Sequence, residues 1–294
     1  MERVHTLAAE NGARIAYRCR RAAEGARRDP LVLIHGAASN MTRWTEFVER
    51  TALTASHDII RLDLRGHAQS LYRGPIGLEI WCDDIAAILR EQGYRRAILI
   101  GHCLGANVAI MFAARYPDRT DGLVLVEPML REALTGSLRR LCVLEPPVKA
   151  AIAVIRTLNR LGLYRHRLQA LDLYELDKLF RFRLVEPGGG AALERRYASP
   201  RHDLKTIPSA NFLQNLLEVI RPLPLEKMRA PFLALLSTGR RFADPAVTGA
   251  MLARFPQGEV RTLESQHWIP TEQPEAMRAA IETWVASLSS PVRP

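Results

Sequence analysis

Cys103 stands between two glycines, in Gly101-His102-Cys103-Leu104-Gly105. An apolar run ends just before this segment, and a helical pattern follows it, with Leu104, Val108, Met111 and Phe112 on one face. A strand that turns this abruptly into a helix strains its central residue, which only small neighbours two positions away permit. The turn pushes the central side chain out at the carboxyl edge of a sheet, onto the N-terminus of a helix. A thiol placed there is a nucleophile once it ionises, since the thiolate and not the thiol attacks. The other reading of an isolated cysteine is an inert buried one, because free Cys is among the most buried residue types.

A nucleophile needs a general base and donors for the charge that develops on the attacked oxygen. His267, in Gln266-His267-Trp268-Ile269-Pro270, is the candidate base. The donors are the backbone amides of Ala37, in the run His35-Gly36-Ala37-Ala38, and of Leu104, directly after the cysteine. His35 is expected to hold its loop, and His35, Gly36 and Trp268 are the candidates for substrate contact. Asp63 and His67, in the turn after Ile59-Ile60-Arg61-Leu62, read as turn-stabilising residues. The helix N-terminus and a nearby imidazole both favour the anion, so a Cys103 thiolate–His267 imidazolium pair is expected at rest. Such a pair leans less on a carboxylate behind the histidine than a serine would.

The elements that must place these groups follow from periodicity. Strands are expected at Arg3–Ala8, Arg14–Cys19, Leu31–His35, His57–Leu62, Ala97–Ile100, Gly122–Glu127, Pro231–Ser237 and Glu259–Leu263. Helices are expected at Trp44–Ala52, Leu78–Gln92, Leu104–Tyr116, Pro245–Phe255 and Pro274–Leu288. The alternation breaks between 128 and 229, where helical periodicity recurs (Val148–Leu161, Leu168–Phe182, Ala210–Ile220) without a convincing strand.

The segments around His35, Asp63, Cys103 and His267, in this order, resemble the α/β-hydrolase family, from about Val4 to Leu288. The resemblance implies a mostly parallel eight-stranded sheet flanked by helices, with a helical cap inserted after the sixth strand. The core is then 1–127 and 230–294, and the cap 128–229. The family's chain order is nucleophile, acid, histidine, yet its usual carboxylate turn is altered here. In Ser237-Thr238-Gly239-Arg240, an arginine stands where the aspartate is expected. Two replacements are available. Glu127 ends its strand 24 positions after Cys103; haloalkane dehalogenases that take their acid from this strand resemble the chain without a gap from Gly101 to Glu127. Asp244, four residues past Arg240, is the alternative acid, and Glu127 could instead be a carboxylate at the hinge of the cap. Dienelactone hydrolases and polyhydroxyalkanoate synthases also carry cysteine at the elbow, so the thiol is compatible with turnover.

Composition narrows the partners. The 294 residues carry a formal net charge of +10, and 128–229 holds eighteen Lys/Arg against ten Asp/Glu. Such a surplus attracts anions, and coenzyme A thioesters and acidic acyl carrier proteins are the natural candidates for an acyl substrate. Nucleic acid is disfavoured, since the arginines are not interleaved with stacking aromatics. There is no membrane-length apolar run and no signal pattern at the N-terminus. The four cysteines lack metal or disulfide spacing, so no metal and no cofactor is expected, and a reducing cytoplasm suits a free thiol. The leading expectation is acyl transfer from an ester, thioester or lactone through an acyl-cysteine, to water or another acceptor. The alternatives are a non-catalytic ligand-binding or sensor protein on the same scaffold, and a lyase or cofactor-independent oxygenase.

Overall fold

The computed structural model describes residues 2–23, 29–184 and 189–288. Eight strands form one sheet: β1 (Arg3–Ala8), β2 (Arg14–Arg20), β3 (Leu31–Ile34), β4 (Ile59–Leu62), β5 (Ala97–His102), β6 (Thr120–Val126), β7 (Phe232–Ser237) and β8 (Gly258–Leu263). Their spatial order is β1-β2-β4-β3-β5-β6-β7-β8. β2 runs antiparallel to both β1 and β4, and every other pairing is parallel.

The central strands are continuous apolar runs because both of their faces are covered, as parallel sheets require. Successive side chains alternate between faces. Val32, Ile34, Leu99, Leu123 and Leu125 belong to one buried layer, while Leu31, Leu33, Ile98, Ile100, Val124 and Val126 belong to the other. Helix α1 (Thr45–Arg50) packs in the second layer through Phe47 and Val48, with Trp44 from the 3₁₀ turn before it. Helices α2 (Leu78–Glu91) and α3 (Leu104–Arg115) pack in the first.

Between β6 and β7 the chain forms α4 (Gly136–Leu141), α5 (Glu145–Arg160), α6 (Leu173–Leu184), α7 (Gly189–Tyr197), α8 (Pro200–Thr206) and α9 (Ser209–Val219), with no strand among the described residues. After β7 come α10 (Pro245–Leu252), then β8, α11 (Ile269–Glu272) and α12 (Pro274–Leu288), which closes the second layer through Met277, Ile281 and Trp284. The helix expected over Leu168–Phe182 starts later, at Leu173, where the Asp172 carboxylate accepts from the amides of Tyr174 and Glu175. Helices α4, α7 and α8 have no counterpart in the periodicity reading. They are short, and their apolar positions answer to neighbouring helices more than to a face of their own.

The inserted helices are locked to the core by a buried ion pair. Arg43 Nη1 donates to both carboxylate oxygens of Asp177 on α6, at 2.7 and 2.6 Å, and to Thr271 Oγ1 on α11 at 2.6 Å. The Tyr197 hydroxyl donates to the same carboxylate, and its ring lies 5.0 Å from the Arg43 guanidinium. No helix among the described residues is long and apolar enough to cross a membrane.

Candidate active site

The elbow between β5 and α3 is strained. Cys103 has φ 54° and ψ −117°, a left-handed conformation that costs a non-glycine residue of order 1–3 kcal/mol and persists only when its surroundings fix it. The Cys103 amide donates to the Val126 carbonyl on β6 at 2.9 Å, and its carbonyl accepts from Ala106 at 3.0 Å. Two glycines make room. A Cβ on Gly101 would lie 2.2 Å from the Gly105 carbonyl oxygen, and one on Gly105 would lie 2.3 Å from that of Ile34. Helix α3 can therefore start hard against the loop that follows β3.

His267 lies in the loop after β8 and is buried. Its Nδ1 donates to Glu127 Oε2 at 2.9 Å, and the Cys103 side chain also acts on its ring. With Nδ1 committed to the carboxylate, Nε2 is the nitrogen left for sulfur. Burial pushes the imidazolium pKa down, but the Cys103 and Glu127 side chains outweigh it and hold the value up at about 10. Glu127 directly follows β6 with φ 53°. Its Oε1 accepts from the Ser237 amide at 2.5 Å and its own amide donates to Leu235 O at 2.9 Å, so the carboxylate is clamped across the end of β7.

Asp244 is placed elsewhere. It caps α10, accepting from the Ala246 amide at 2.9 Å, and makes no hydrogen bond to His267 among the described residues. Arg240, expected near the histidine, has a side chain 70% exposed that points towards Asp244 at 3.9 Å.

Sequence reasoning missed two residues here. Glu272 organises the histidine loop: Oε2 accepts from the Gln266 amide at 2.9 Å, and Oε1 from those of His267 and Trp268 at 3.2 and 3.0 Å. Its spacing, five residues after His267, was the available signal. His102 donates from Nε2 to the His267 carbonyl at 3.3 Å. Burial, then the charge of His267, pushes its own pKa well down and keeps it neutral.

His35 is fully buried. Its Nδ1 donates to Gly36 O at 2.8 Å and its Nε2 accepts from the Leu64 amide at 3.0 Å, which fixes the loop. It does not line the cavity, a correction to its candidacy for substrate contact: both ring nitrogens are spent on backbone. Asp63 accepts from the amides of Met41 and Gln69, and His67 Nδ1 donates to Leu64 O, as expected of residues that stabilise a turn.

Cys103, His267, Gly36, Ala37 and Trp268 share one cavity of about 370 Å³ with residues of the inserted helices, among them Leu138, Tyr197, Phe212 and Leu216. That volume falls in the lower part of the range for small-molecule sites, roughly 300–1,000 Å³. Leu104 N–H belongs to the first turn of α3, whose amides have no intrahelical acceptor. Ala37 N–H enters no hydrogen bond among the described residues.

Known proteins resemble this chain along most of its length. The sn-1-specific diacylglycerol lipase ABHD11 of Mus musculus is 23% identical over 87% of this chain and 80% of its own length. A probable alcohol acetyltransferase of Saccharomyces cerevisiae is 22% identical over 89% and 78%. The crystal structure of a hydrolase from Pseudomonas aeruginosa PA01 superposes with a TM-score of 0.66 at 24% identity, covering 96% of this chain and 98% of that one. The family model described as alpha/beta hydrolase fold matches residues 29–274, and on that match, together with the sheet order, the chain belongs to the α/β-hydrolase fold family.

Proposed function

We propose that the protein is an acyl-transfer enzyme that uses Cys103 as its nucleophile. The observation that carries this is the position of His267, held by the Glu127 carboxylate at 2.9 Å and facing the same cavity as Cys103. Sulfur, imidazole and carboxylate in series are a nucleophile, a base and the group that orients the base.

The Cys103 thiolate attacks the carbonyl carbon of an ester, thioester or lactone. The resulting oxyanion sits on the amides of Ala37 and Leu104. Collapse breaks the bond to the leaving group, which takes the proton from His267 Nε2 and departs as an alcohol or thiol. The acyl-cysteine and a neutral imidazole remain. His267 then removes a proton from the acceptor as it attacks the thioester, and collapse returns a thiolate beside an imidazolium. Water as acceptor gives hydrolysis; an alcohol or amine gives transfer. The similar lipase and acetyltransferase represent these two outcomes.

We read residues 128–229 as a cap that shapes the acyl cavity and limits water. Its surplus of cationic residues suits an acyl group carried on coenzyme A or an acidic carrier protein. All four cysteines are free, which suits a reducing compartment such as the cytoplasm.

Intact mass spectrometry after incubation with activated esters and acyl-CoA thioesters is the test. The expected result is a single acyl adduct that maps to Cys103 and is missing in Cys103→Ala. Turnover of any of these substrates by folded Cys103→Ala at the wild-type rate would overturn the reading.

A further inference from the structure

Asp203, on α8, lines the cavity that holds Cys103, yet its carboxylate enters no hydrogen bond or ion pair among the described residues. The neighbouring acids withdrawn from solvent are partnered: Asp177 with Arg43, Glu145 with Arg131 and Glu218 with Arg221. Arg196 lines the same cavity and acts on Asp203 electrostatically, but the two do not form an ion pair. Burial pushes the Asp203 carboxyl up to about 7, with Arg196 opposing it. Asp203 is half-buried, so its carboxylate is open to a donor that enters the cavity and has no protein group among the described residues competing for it.

Asn215, on α9, also lines this cavity, but its amide oxygen is closed off from solvent. His67 is pushed down to about 4 by burial and is therefore neutral, with its Nδ1 proton directed at Leu64 O. Its Nε2 must accept, and it takes a hydrogen bond from Asn215 Nδ2 at 2.7 Å. That fixes the amide orientation and leaves Asn215 Oδ1, a buried atom, without a donor.

We propose that this wall binds a hydrogen-bond donor on the acyl substrate (a hydroxyl, an ammonium or an amide N–H), with Asp203 as the specificity-determining acceptor. That the bound molecule is an acyl substrate rests on the function proposed above; that a donor is selected does not.

The test uses the whole chain and unreactive probes: primary amides of straight-chain acids of increasing length, ending in methyl, hydroxyl or ammonium. Calorimetry on wild type, Asp203→Asn and Asp203→Leu gives the affinities. At the best-fitting length, the wild type is expected to bind the hydroxyl and ammonium ends about tenfold or more tighter than the methyl end. Asp203→Leu removes both preferences. Asp203→Asn, which keeps an acceptor but no charge, retains the hydroxyl preference and loses that for ammonium. Equal wild-type affinity for all three ends overturns the proposal. So does a preference that survives in Asp203→Leu, which would make Asp203 a partner for Arg196 and nothing more. A donor preference in a protein that no ester acylates would support this inference and count against acyl transfer alone.

Discussion

On the proposed reading, a thiol at position 103 changes what its histidine must do. Serine needs a base at the moment of attack, whereas a thiolate can rest beside an imidazolium that later serves as the acid for the leaving group. The proton must then stay on His267 across the working pH range, and its pKa of about 10 places it there. The sign follows from that elevation: the imidazolium is present at neutral pH and is lost as pH rises through about 10, taking the general acid with it. Acylation should therefore hold its rate into mildly alkaline solution and fall near that value. Glu127→Gln removes a negative charge that holds the pKa up, so the alkaline limb should move to lower pH and the rate fall by about 10- to 1,000-fold, less than the roughly 10⁴ seen when a serine triad loses its acid. Asp244→Asn should leave the limb in place and the rate within about twofold, because asparagine also caps helices well. A limb that moves with Asp244 and not with Glu127 would transfer the role of acid.

At the level of elements, the site depends on how closely α3 approaches the loop after β3. The Gly105 position allows it, since a methyl group there would meet the Ile34 and His35 carbonyl oxygens at 2.3 and 2.7 Å. Neither oxygen is the tip of a flexible side chain that could step aside. Gly105→Ala should destabilise by about 3 kcal/mol, the upper part of the usual overpacking range, and thermal unfolding should report it as a drop of several degrees. An unchanged melting temperature would mean that the loop and helix can separate, and that the elbow is not held as described. Glu127 is placed by the same logic: β6 hands over to a left-handed residue whose carboxylate lies across the end of β7 and meets the loop after β8.

Across the whole molecule, the inserted helices line the cavity and are tied to the core by several polar contacts, among them Arg181 with Glu46, Asn211 with Gly66 and Arg221 with Glu79. Arg43 and Asp177, with side chains 3% and 4% exposed, form the most buried ion pair of these ties. Removing one partner of a buried pair strands the other charge, at a cost of about 3–5 kcal/mol. Asp177→Ala should therefore loosen α6 from the core. Limited proteolysis should cut within 128–229 faster than in wild type, while the sheet stays protected. Equal protection of both segments would show that the remaining contacts hold the insertion without this pair.

Local chemistry wrote much of this into the chain. The apolar runs of the central strands, the glycines around Cys103 and the carboxylate that follows β6 are legible because strand period, turn sterics and chain order are properties of neighbouring residues. Both endpoints of β1 and the start of α12 could be read to the residue. What the chain could not disclose are meetings between distant segments. β4 lies between β2 and β3, Glu127 touches a histidine 140 residues later, and Arg43 pairs with Asp177 134 residues on. Glu272, Asp203 and Asn215 have no motif of their own. Each takes its part from the amides, the cavity and the histidine that folding brings to it, and only the tertiary structure decides what stands within hydrogen-bonding distance of a side chain.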